Sequence, residues 1–146
     1  MTATYPAPIQ TEKQVSPSLT IEGIDEFVVL QYFETLNAGN FRATANLFSA
    51  EGQLHPPFES ALIGPNAIVA YLEAEAEGME LMPRHGAIET NAQGETFIKV
   101  VGKVTTAWFS VNVAWLFALD RSKKITSATV KLLASPQELL GLRRMS

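Results

Sequence analysis

Two residue types in this chain can direct a neutral hydrogen bond into an apolar space: the phenol of Tyr32 and the indoles of Trp108 and Trp115. Each carries one polar hydrogen on a large hydrophobic body, and a buried donor of this kind calls for an acceptor. Tyr32 lies on the helical face of Val28 and Leu36, at four-residue spacing. Trp115 alternates with Val111, Val113, Phe117 and Leu119, while Trp108 continues the alternation of Thr96, Ile98, Val100, Gly102, Val104 and Thr106. Residues of one parity share one face of a strand. These faces contain no Asp, Glu, Lys or His. The chemistry open to them is therefore hydrogen bonding in an apolar cavity, for instance to a neutral carbonyl oxygen shared by two donors. The alternative is that they are core aromatics bonded to backbone carbonyls, and spacing alone leaves that open.

The elements that would position them follow from periodicity. Ile24, Phe27, Val28, Tyr32 and Leu36 recur at three- and four-residue steps and predict an amphipathic helix, ended by Asn37-Ala38-Gly39-Asn40. A short helix is expected over Phe41 to Phe48, then an edge strand over Gln53 to Phe58 that runs into Pro56-Pro57. Gly64-Pro65 opens a third helix with Ile68, Leu72 and Ala76 on its apolar line, closed by Gly78. The period then changes, and Met79 to Thr90, Thr96 to Trp108, Val111 to Leu119 and Ile125 to Leu133 read as strands. Asn91 to Gly94 and Asp120 to Lys124 supply polar turns between them. Ser135-Pro136-Gln137-Glu138 has the form of a capping box, which predicts a last helix over Pro136 to Arg143. Residues 1–20, with Pro6, Pro8 and Pro17, read as a flexible N-terminal tail, and residues 21–146 as one domain. Helices first and an antiparallel meander afterwards give an α+β fold. Three helices laid on a curved, mostly antiparallel sheet make a cone that can hold a pocket, as in the nuclear-transport-factor-2-like fold.

Other chemistry-bearing residues are sparse. His55 and His85 are the two histidines, and neither lies in a ligand cluster for a metal. Glu73, Glu75 and Glu77 read as a solvated helix face, and Arg143 and Arg144 suit a helix C-terminus. Lys99, Lys103 and Lys131 suit the outer face of a sheet. The 146 residues are 47% hydrophobic and 18% charged, enough for one globular domain with a sizeable core. A net charge of −4 points away from nucleic acid and anionic membranes as main partners. Cysteine is absent, which removes disulfides, thiolate metal sites and thiol nucleophiles. No apolar run approaches the roughly 18–20 residues that span a bilayer, and Met1 to Gln10 lack the pattern of a secretory signal. A cytoplasmic location is expected.

Several segments together have a more specific likeness. These are VLQYFETLNAGNF (Val29 to Phe41), PPFESALIG (Pro56 to Gly64), VVGKVTTAWF (Val100 to Phe109), NVAWLFAL (Asn112 to Leu119) and LLASPQELLGLRR (Leu132 to Arg144). From Ile21 to Arg144 the chain resembles the C-terminal domain of the orange carotenoid protein family, without the helical domain that precedes it there. The resemblance implies a non-enzymatic carrier of a ketocarotenoid such as canthaxanthin or echinenone. By that likeness Tyr32 and Trp115 hydrogen-bond the ring carbonyl, and Trp108 lines the pocket near the ring. Leu36, Met79, Leu81, Val104, Phe109 and Val130 fall at other pocket positions. Glu75 matches a glutamate that pairs with the absent domain, so an exposed carboxylate is expected. Two departures stand out. The link between Trp108 and Trp115 is a few residues shorter than in the full-length proteins, and Ala76 replaces a cysteine found in many relatives.

The implied partners are the carotenoid, a second copy of the chain in a homodimer, and membranes or helical carotenoid proteins as pigment donor or acceptor. Two other classes are open to this composition. A dimeric interaction module would bind a protein and no pigment. An isomerase or dehydratase on the same fold would need an inward acid or base beside Tyr32, for which His55, Glu59 and Glu89 are the candidates.

Overall fold

The computed structural model describes residues 19–133. Helix α1 (Phe27–Asn37) buries Val28, Val29, Tyr32, Phe33 and Leu36. Its buried face is wider than the expected line, because Val29 and Phe33 join it. Phe27, counted toward that line, is exposed, and Ile24 precedes the helix in an isolated bridge to Ile21. Gly39, with φ of +77°, turns the chain beyond the end of α1. Helix α2 (Phe41–Ala45) is shorter than expected. The Asn40 side chain caps it by accepting from the Ala43 N–H, and a 2.6 Å hydroxyl contact between Thr35 and Thr44 joins it to α1.

Strand β1 (Phe48–His55) begins where the second helix was expected to end. It stops before Pro56-Pro57, which have no N–H to give a ladder. The expected strand over Gln53 to Phe58 is thus displaced toward the N-terminus. Nor is it an edge strand, for β1 lies between the two-residue β2 (Leu62–Ile63) and the last described strand, β6 (Ile125–Leu133). Helix α3 (Pro65–Glu75) starts at Gly64-Pro65 as expected and buries Ile68, Val69 and Leu72.

The meander consists of β3 (Glu80–Thr90), β4 (Thr96–Thr105), β5 (Ser110–Leu119) and β6 (Ile125–Leu133). Asn91 Oδ1 accepts from the N–H groups of Gln93 and Glu95, and Asp120 Oδ1 from those of Ser122 and Lys124. Both polar turns are therefore built by an Asx side chain that satisfies the turn's own donors. The six strands form one sheet in the order β2-β1-β6-β5-β4-β3. All neighbours are antiparallel except β1 and β6, which are parallel. The core lies between the helices and one face of this sheet, on Ile98, Val100, Val113, Trp115 and Phe117. Among the described residues no helix is long and apolar enough to cross a membrane. The expected helix over Pro136 to Arg143 and the stretch before residue 19 lie outside the described residues.

Candidate functional site

The alternation read from β4 and β5 holds in three dimensions. Ile98, Val100 and Val104 are buried from β4, and Val113, Trp115, Phe117 and Leu119 from β5. Trp115 stands opposite Val100 on one neighbour and Val130 on the other. Over the end of this face nearest α3 lies an open cavity of about 390 Å³. Tyr32 and Leu36 line it from α1, Leu54 from β1, and Tyr71, Leu72, Glu75 and Ala76 from α3. Met79, Leu81, Val104, Phe109, Trp115 and Val130 complete most of the wall. The α1 side of the cavity is fixed by Asn37, whose side chain donates to Leu81 O at 2.9 Å and accepts from Leu81 N at 2.8 Å. That two-point clamp holds Leu36 and Leu81 together at the start of edge strand β3.

Eight of the nine residues expected at a ligand site therefore meet on one wall: Tyr32, Trp115, Leu36, Met79, Leu81, Val104, Phe109 and Val130. Trp108 does not. It was expected to point inward by continuing the parity of β4, but β4 ends at Thr105, which pairs directly with Ser110. The four-residue connection closes on itself. Thr106 N–H donates to Phe109 O at 2.8 Å, and Thr106 Oγ1 accepts from the N–H groups of Trp108 and Phe109. A turn breaks strand parity, and Trp108 is left 89% exposed. The short link to Trp115 is the sequence feature that marked this place. Sequence reasoning missed Tyr71 on the wall, since it sits one residue off the Ile68-Leu72-Ala76 line. A periodic reading of both flanks of α3 finds it. Pro56 and Pro57 also line the cavity, directly beyond β1.

The two donors are held by their rings. Tyr32 is 2% exposed and Trp115 1%. Tyr32 packs edge-on to Phe117 at 5.0 Å and Phe33 at 5.3 Å, and Trp115 packs edge-on to Phe33 at 4.7 Å. Phe33 thus joins the two rings and fixes their planes. Neither the Tyr32 hydroxyl nor the Trp115 indole N–H is hydrogen-bonded to a described residue, and the buried polar side-chain atom without a partner among those residues is instead Thr96 Oγ1, away from the cavity. Burial, and secondarily the nearby Tyr71, push the Tyr32 phenol far above the ordinary tyrosine range. Tyr32 is a neutral donor at any physiological pH. The Tyr71 phenol is also raised, first by partial burial and then by the carboxylates of Glu59 and Glu75. Glu75, expected as an exposed carboxylate, is exposed, at the rim of the cavity. His55, Glu59 and Glu89 are not on the wall.

This arrangement suits a ligand with a bulky apolar body and a carbonyl at one end. The test of fit is the donor pair itself: two buried side chains with hydrogen to give and no described acceptor, on a wall that is mostly hydrocarbon apart from Tyr71, Thr106 and rim-exposed Glu75.

The nuclear transport factor 2 (NTF2) domain matches residues 24–128. The chain belongs to that family. Among curated proteins it is similar to the orange carotenoid-binding protein of Synechocystis sp., 38% identical over 130 residues, which is 86% of this chain and 41% of that protein. The orange carotenoid-binding protein of Limnospira maxima is 40% identical over 126 residues, 84% of this chain and 40% of that one. The chain therefore spans under half the length of these relatives. The structure of the Anabaena (Nostoc) sp. PCC 7120 orange carotenoid protein binding canthaxanthin superposes with a TM-score of 0.77 at 37% identity, covering 97% of this chain and 47% of that one. This member of the family is thus a homologue of one domain of the orange carotenoid proteins, the C-terminal one that its sequence segments resemble.

Proposed function

We propose that the protein binds a ketocarotenoid of the canthaxanthin or echinenone type and carries it without chemical change. Tyr32 and Trp115 donate to the ring carbonyl, and Leu36, Met79, Leu81, Val104, Phe109 and Val130 cover the ring and the start of the polyene. The observation that carries this reading is the pair of buried side chains on one largely apolar wall whose polar hydrogens meet no acceptor among the described residues. The likeness to carotenoid-binding relatives supports it. Bound pigment supplies the conjugated chain that absorbs visible light, and hydrogen bonds at its carbonyl polarise that chain and move the band to the red. Residues of this chain do the rest. Tyr32, kept neutral by burial, offers a proton without releasing it. Most of the remaining lining is hydrocarbon, which removes the ring from water at about 25 cal/mol per Å².

An enzyme on this scaffold needs a base in reach of the bound carbonyl compound. The ionisable groups on the described wall are the two tyrosines and rim-exposed Glu75, so the geometry favours retention over turnover. A cavity of this size covers one end of a long pigment. Two copies covering both ends would form a symmetric homodimer, and helical carotenoid proteins or membranes would serve as pigment donor or acceptor. The experiment is an absorption spectrum of the protein purified from cells that make canthaxanthin or echinenone. A visible band that follows the protein through gel filtration is expected. A colourless protein from pigmented cells overturns the proposal and turns attention to a protein-binding role.

A further inference from the structure

On the reading above Tyr32 and Trp115 take up both acceptor positions of a ring ketone, and the cavity holds a second polar pair beside them. Tyr71 and Glu75 stand four residues apart on α3, on one helical face, and both reach the cavity wall. Tyr71 is half-buried, and neither side chain is hydrogen-bonded to a described residue. Tyr32 lines the same cavity from α1, and the Tyr71 phenol is raised first by its partial burial and then by the carboxylates of Glu59 and Glu75. A carboxylate only accepts, and a phenol oxygen accepts a hydrogen bond as well as donating one. A pigment ring that bears a ketone alone brings no hydrogen for these acceptors, and strips water from Tyr71 without replacing it. A ring that carries a hydroxyl on the carbon beside the ketone brings one donor, at a position adjacent to the atom that Tyr32 holds.

We propose that Tyr71, supported by Glu75, is a specificity-determining residue that selects pigments with a hydroxyl next to the ring ketone over pigments with the ketone alone. The inference rests on the ketocarotenoid reading above and names the ring chemistry that the same site prefers.

The test is a competition. Unloaded protein is incubated with an equimolar mixture of canthaxanthin, whose rings carry ketones, and astaxanthin, whose rings carry a hydroxyl beside each ketone. The bound pigments are then extracted and quantified by chromatography. The wild-type protein should be enriched in astaxanthin about tenfold, the effect of one satisfied hydrogen bond assisted by a nearby charge. In Tyr71→Phe the ratio should fall to near one, and in Glu75→Gln, an exposed position that tolerates change, to an intermediate value. Equal uptake of both pigments by the wild type, or an astaxanthin preference that survives in both variants, overturns the role of Tyr71. Uptake of neither pigment by the wild type overturns the carotenoid reading itself, and this inference with it.

Discussion

Replacing Tyr32 by Phe separates a ligand donor from a structural one. In the unloaded protein the hydroxyl has no described partner, so its removal breaks no bond within the described fold. The ring keeps its edge contacts with Phe33 and Phe117. The expected stability change is within about 0.5 kcal/mol of zero, since a hydroxyl that meets no partner among the described residues contributes little to that part of the fold. In the loaded protein the same change removes one neutral hydrogen bond to the pigment, worth about 1 kcal/mol. The carbonyl still has the Trp115 N–H. Affinity should fall about fivefold, and the stabilisation that pigment confers at fixed excess should drop by the same ~1 kcal/mol. For a domain of this size that is a loss of roughly 3–4 °C in Tm of the loaded form alone. Urea unfolding with and without canthaxanthin reads both numbers, and the visible band should move to the blue. Equal destabilisation of both forms by 1 kcal/mol or more, with an unmoved band, would show that the hydroxyl serves the fold and would refute the donor assignment.

Trp115→Phe should cost pigment affinity and shift the band to the blue, additively with Tyr32→Phe. Trp115→Ala should cost about 3–5 kcal/mol by emptying the space against Phe33, measurable as an earlier urea midpoint with or without pigment. Trp108→Ala should change stability by less than about 0.5 kcal/mol and leave the band position unaltered, because the side chain stands outside the cavity. Stability should decline as pH rises above the ordinary tyrosine value of about 10. The buried Tyr32 phenol holds its proton in the folded state while the unfolded chain releases it, so stability present below that value is lost above it. In Tyr32→Phe this alkaline loss should be smaller, as followed by denaturant titrations at a series of pH values.

The donor pair was legible because helical and strand periods both survive around it. Tyr32 keeps company with Val28 and Leu36 on α1, and Trp115 with Val113 and Phe117 on β5, and these faces are buried as their spacing requires. Turn chemistry was equally plain at Gly39, Asn91 and Asp120, where local hydrogen bonds or a positive φ decide the outcome. What escaped was set by tertiary pairing. Phe48 to Gly52 has no clean alternation, and it is a strand because β6 lies beside it and tolerates a register shift between Phe48 and Gln53. Gly52 is part of that accommodation, for a Cβ there would stand 2.6 Å from Ile125 O. Trp108 escaped because parity says nothing about where a strand ends, and the Thr106 hydroxyl ends this one. Tyr71 escaped because it flanks an apolar line instead of lying on it.

The parallel pairing of β1 with β6 has a consequence for how the chain folds. Strand β6 is the last of the described strands, yet it sits in the interior of the sheet, between β1 and β5. Phe48 meets Ile125 across that seam. Until Ile125 to Leu133 leave the ribosome, the β1–β2 pair and the β3–β4–β5 meander are two halves with no ladder between them. Closing the seam joins residues far apart in sequence, and such contacts form late and slowly. Val130 belongs to the same strand and to the cavity wall. The wall is therefore completed by the same event that completes the sheet, so an incomplete nascent chain offers a pigment no finished site, and a truncation before Ile125 should yield two separated, aggregation-prone half-sheets.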